Sequence, residues 1–90
     1  MARHNLITTQ ITANSTAQLL NPASIQGSRG DIEVTITVTG ANTVFFGGVS
    51  TVTTANGMPV TNTMPAKITT SANIYVLTTG TSTIGASFSY

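Results

Sequence analysis

Residues 31–39 read Asp-Ile-Glu-Val-Thr-Ile-Thr-Val-Thr, an unbroken period of two. It puts Ile32, Val34, Ile36 and Val38 on one face and Asp31, Glu33, Thr35, Thr37 and Thr39 on the other. Nearly every position is β-branched, a side-chain type that loses χ1 freedom in a helix and packs well on a pleated surface. The segment is therefore expected to be a strand with one face in a core and one in solvent. Weaker forms of the same pattern cover 6–12, 17–20, 43–46, 50–54, 66–69, 73–79 and 83–90. Turn residues separate them: Gly40-Ala41-Asn42, Gly47-Gly48, Asn56-Gly57, Met64-Pro65 and Gly80. Strand-like segments about ten residues apart, with no 3.6-residue period, predict an all-β fold. The expected form is a single small β-sandwich or jelly-roll-like barrel of six to eight strands. A single turn over 15–20, capped by Ser15 or Thr16, is the one helical candidate.

The pattern also separates positions within the strands. Asn73-Ile74-Tyr75-Val76-Leu77 is apolar on both faces, as a central strand would be. Phe45 and Phe46 are adjacent, so on a strand they must point to opposite faces. The outward ring then either lies under a loop or anchors a contact to another chain, where aromatics are enriched. In the last segment Ile84, Ala86, Phe88 and Tyr90 share a face, which predicts a C-terminus docked into a sheet. Residues 1–12, with Arg3, His4, Leu6 and Ile7, are expected to be an arm that adds to another subunit or the first strand, with a frayed end over 1–10 as the alternative to the arm. Residues 13–90 are expected to form the single sandwich domain.

Composition bears on what such a fold could do. Of 90 residues, charged side chains make up 6%, against about 25% in a typical soluble domain. Thr (19) and Ser (8) fill that place, so the surface is solvated through hydroxyls. Three cations cannot neutralise the several phosphates that nucleic-acid binding needs, which argues against DNA or RNA as partner. With no Cys there is no disulfide, thiolate nucleophile or Cys-ligated zinc. Neither a secretory apolar run nor a span of 18 apolar residues is present, so no membrane partner is expected and synthesis is expected in the cytoplasm.

The chain offers little to catalysis. Its two acids, Asp31 and Glu33, fall on the solvent face of the best strand. There they read as charges that discourage edge-to-edge pairing rather than as an acid–base pair. His4 is the only histidine and has no ligand-spaced partner, so no metal site is expected, and no Gly-x-Ser-x-Gly turn accompanies it. Gly47-Gly48 lacks the spacing of a phosphate loop. Arg29-Gly30-Asp31 and the sequon Asn14-Ser15-Thr16 are short strings expected by chance. No catalytic residue, cofactor or metal is expected.

Several stretches nonetheless carry a resemblance: Ala17-Gln18-Leu19-Leu20-Asn21-Pro22, Arg29 ahead of a β-rich strand, Val44-Phe45-Phe46-Gly47-Gly48, Val52-Thr53-Thr54-Ala55-Asn56-Gly57-Met58-Pro59-Val60, and Ile74-Tyr75-Val76-Leu77. Over residues 17–88 the chain resembles the small β-sandwich decoration, or cement, proteins of tailed bacteriophage capsids. It departs from that pattern at 61–67, which lacks a Gly-rich acidic turn. The resemblance implies a structural protein on the virion capsid surface that binds the major capsid protein and stabilises the assembled shell, often as a homotrimer. Composition leads independently toward self-association or docking. A chain this poor in charge has little repulsion between copies, and its apolar fraction of 40% exceeds what a small monomer hides. The residues expected at an interface are Phe45, Phe46, Tyr75 and Leu77, with Leu6, Ile7 and Ile11 in the arm. The alternative is a recognition module, either a tail or fibre domain or a carbohydrate-binding β-sandwich.

Overall fold

Residues 5–22 and 31–90 are described by the computed structural model. Eight strands follow in order: β1 (Leu6–Ala13), β2 (Gln18–Leu19), β3 (Ile32–Thr39), β4 (Val44–Gly47), β5 (Met58–Val60), β6 (Ala66–Thr70), β7 (Tyr75–Thr78) and β8 (Ser82–Ser89). They form two four-stranded antiparallel sheets, in the orders β1-β8-β3-β6 and β2-β7-β4-β5. Strand β1 pairs with β8, β2 with β7, β3 with β6 and β4 with β5. The chain is thus one long two-stranded ribbon with its tip at β4–β5, rolled up so that β8 meets β3 and β7 meets β4. This is the jelly-roll form of the β-sandwich.

The alternation of β3 places its apolar face in the core as expected, with Ile32, Val34, Ile36 and Val38 all buried. From the same sheet Ile84, Ala86 and Phe88 point inward; opposite them stand Leu20, Val44, Val60, Ile74 and Val76. Strand β7 is central in its sheet, which accounts for apolar residues on both of its faces. Polar groups that enter the interior are bonded. Asn21 Oδ1 accepts from the Ile74 N–H at 2.7 Å, and the Thr78 hydroxyl donates to the Thr43 carbonyl at 2.7 Å.

The structure corrects two expectations. Residues 50–54 are not a strand. The Val52 N–H donates to the Val49 carbonyl (3.2 Å) and the Gly57 N–H to that of Thr53 (2.8 Å), so two successive turns replace it. The Thr53 hydroxyl and the Asn56 carboxamide bond nearby backbone N–H groups, offering the backbone local partners in place of a ladder. The strand in this region is Met58–Val60, outside the segments expected to be strands. The strand expected at 17–20 is β2, and the candidate helical turn at 15–20 does not form, since Asn14 Oδ1 takes the Thr16 N–H (2.8 Å) and turns the chain into that strand. Finally, Asp31 and Glu33 do not guard an edge, because β3 lies between β8 and β6.

Candidate functional site

Alternation divides the second sheet into two unlike faces. Val44, Phe46, Val60 and Val76 point into the core, so their neighbours Phe45, Pro59, Tyr75 and Leu77 point away from it. Phe45 lies directly opposite Leu77 on one side and Pro59 on the other, and Leu19 lies opposite Tyr75. A second apolar layer is thereby assembled outside the sandwich. The turns between β4 and β5 fold back over part of it. Val52 and Leu77 are 6% and 7% exposed, yet neither belongs to the main core. They form the buried part of a satellite cluster of the kind found beneath long loops.

Two glycines permit that fold-back. A Cβ on Gly47 would stand 2.8 Å from Val52 Cγ2, and one on Gly57 would stand 2.8 Å from Phe45 Cβ and 2.9 Å from the Thr53 carbonyl oxygen. Phe45 therefore abuts the protein's own loop, while its side chain and that of Tyr75 stay half-buried. Where the satellite layer ends, the open side of the sandwich begins. An apolar crevice of about 200 Å³ lies there, lined by Phe46, Met58, Ile68, Ala72 and Ile74, with Gly47, Gly48, Asn56, Thr70 and Asn73 at its margins. Met58 is 62% exposed on its rim.

The seven residues expected at an interface do not converge on one patch. Phe45, Tyr75 and Leu77 share the outer face of the second sheet, with Leu77 buried there. Phe46 packs against the core at the crevice. Leu6, Ile7 and Ile11 belong to β1, which pairs along its whole length with β8, so residues 6–13 form the first strand rather than a detached arm. Leu6 is exposed, whereas Ile7 and Ile11 lie half-buried against the core. Sequence reasoning missed the crevice, Val52 and Met58. Asn56-Gly57 was the available signal for Val52, since a turn there lets the preceding segment fold back.

The ionic groups form no reactive cluster among the described residues. Asp31 is exposed, and Lys67 Nζ lies 3.7 Å from Glu33 Oε1, an exposed diagonal pair between β6 and β3. No group of three or more His, Cys, Asp or Glu stands within metal-holding reach among these residues. Arg3, His4 and Arg29 lie outside the described residues. What this site offers is apolar contact area edged by hydroxyls and amides. No protein-family model, curated protein or solved structure matches the chain.

Proposed function

We propose that the protein is a structural virion component that binds the outer surface of an assembled phage capsid and bridges major capsid subunits. The observation that carries this reading is a pair of adjoining apolar surfaces, the crevice rimmed by Met58 at the open side of the sandwich and the outer layer of Phe45 and Tyr75 on the second sheet, with no charged side chain among them. Such surfaces suit burial against a partner, because no ion has to be stripped of water. Hydroxyl-bearing strands around them can hydrogen-bond across the rim at small desolvation cost. Each copy that engages closed subunits more tightly than loosened ones stabilises the shell by mass action. The jelly-roll fold supports the reading by analogy alone, since it recurs in viral capsid proteins and also in lectins. The sequence resemblance adds the capsid as partner.

The test is co-sedimentation of purified protein with empty heads of the phage that encodes it. Wild-type protein is expected to pellet with heads, and Met58→Asp to bind roughly tenfold or more weakly, a loss of about 1.4 kcal/mol or greater. Met58 is largely exposed, so this substitution should leave the circular dichroism spectrum unchanged. Folded wild-type protein that stays in the supernatant overturns the proposal. Binding on a glycan array without binding to heads would replace it with the recognition-module reading.

A further inference from the structure

The four sheet edges are unequally defended. Strand β2 has two residues, β5 has three and contains Pro59, and β6 follows Pro65 and carries Lys67. Short length, proline and lysine are the usual means of keeping an edge from pairing with another chain. Strand β1 has none of them. Its eight residues, Leu-Ile-Thr-Thr-Gln-Ile-Thr-Ala, include no charge and no proline, and no described strand pairs with its outer side.

We propose that β1 pairs antiparallel with β1 of a second copy of this chain across a two-fold axis, joining the first sheets into one. Backbone direction fixes which groups are free to do so. Asn5 and Tyr90 exchange both backbone hydrogen bonds (2.8 and 3.0 Å), so odd-numbered residues of β1 face β8. Leu6, Thr8, Gln10 and Thr12 then aim their N–H and C=O groups at the open side. In keeping with this, the Thr12 carbonyl reaches outward to Gln18 Nε2 at 3.3 Å and keeps a second lone pair free.

The side chains select the register. The core-facing row Ile7-Thr9-Ile11 reads the same in both directions, as an isologous contact requires. Centring the axis on Thr9 sets Ile7 of each copy against Ile11 of the other, in the close non-hydrogen-bonded type of pair. It also sets Thr8 against Gln10 and Leu6 against Thr12, matching donors to acceptors at every open position. A shift by one residue would bring core faces against solvent faces. A shift of the axis to Gln10 would leave Ile11 opposite Thr9. Ile7 and Ile11 are only half-buried in the single chain, so the Thr9-centred pairing completes their burial. With no charge on β1, no like charges face each other along the paired strands. The inference rests on this edge and not on the capsid reading, and it yields a dimer where the resemblance implies a trimer.

Light scattering and sedimentation equilibrium on the full chain over a concentration series test it. A mass approaching twice the 9.2 kDa chain is expected. Gln10→Pro removes an N–H that faces the open side and bonds no described strand, and should return the mass to that of one chain with the β-rich spectrum retained. Thr9→Cys, the only thiol in its chain, should give a disulfide-linked dimer on mild oxidation, because facing Cα atoms about 4.5 Å apart are within bridging reach. Gln10→Cys should not cross-link, since the register keeps the two copies of that position apart. A single-chain mass at every concentration, a trimer, an open-ended series of masses, or a dimer that Gln10→Pro leaves intact each overturns the proposal. So does cross-linking through Gln10→Cys without Thr9→Cys.

Discussion

Asn21 fastens two distant parts of the chain with one side chain and one neighbour. Its Oδ1 takes the Ile74 N–H, while the Ile74 carbonyl takes the Leu20 N–H at 2.8 Å, so both backbone groups of a buried residue are satisfied by two adjacent residues more than 50 positions away. Asn21→Ala removes the acceptor and leaves a buried N–H without that bond, which costs about 1–3 kcal/mol. For a domain of this size each kcal/mol lowers Tm by about 4–8 °C. Thermal unfolding followed by circular dichroism checks it, and a change below about 0.5 kcal/mol would show that a water replaces the amide. The sequence displays Asn21 as one polar residue between Leu20 and Pro22 and nothing in it names Ile74, since the pairing is fixed by how the ribbon rolls. Thr78 shows the same limit. Its hydroxyl is fully buried and bonded to Thr43, whereas Thr37 and Thr39, the same residue type, stand on the solvent side of β3. Hydroxyls serve both environments, so composition reports their number and not their place.

At the scale of elements, legibility followed the cleanness of alternation. Strand β3 and the apolar face of β8 were readable because a strict period of two leaves one way to bury them. Strand β5 was not, because a three-residue edge strand holding Pro59 gives no period and contains a residue usually excluded from ladders. Residues 50–54 have the composition of a strand but bond locally, through Thr53 and Asn56, instead of to a partner strand. The apolar site was half legible for the same reason. Alternation required one of Phe45 and Phe46 to leave the core without saying which, and the crevice depends on how far the two sheets part at β6. That edge leads to a further prediction. Lys67 is well solvated and its contact with Glu33 is worth at most about 1 kcal/mol, as for other exposed pairs. Its larger role is to keep β6 from accepting foreign strands. Lys67→Val should leave the urea midpoint nearly unchanged while sharply raising the rate of aggregation seen by turbidity at neutral pH. A soluble variant with an altered midpoint would assign Lys67 to stability instead.

For the molecule as a whole, the decisive pairing joins its two ends. Strands β1 and β8 run together over their full length, and the ladder continues through Asn5 and Tyr90. Ordering that pair requires closing a loop of nearly the whole chain, the kind of contact that makes β-folds slow to form. Nested inside it, β2–β7, β3–β6 and β4–β5 close progressively shorter loops, so the rolled ribbon is expected to zip from its tip at β4–β5 outward. Circular permutation separates this order from the stability of the finished fold. Joining residue 90 to residue 1 by a short Gly/Ser linker makes β8 and β1 a local hairpin. Opening the chain between Asn62 and Thr63 cuts an exposed turn between β5 and β6, which lie in different sheets and share no ladder. The permuted chain loses no strand pair and turns its most distant one into its most local. It should therefore keep the same spectrum and refold severalfold faster in stopped-flow measurements, with unfolding changed much less. If closure of β1 on β8 instead follows the rate-limiting step, the refolding rate will not move and the unfolding rate will fall. That result would place the folding nucleus in the inner hairpins and leave the terminal strands as a late seal over the core.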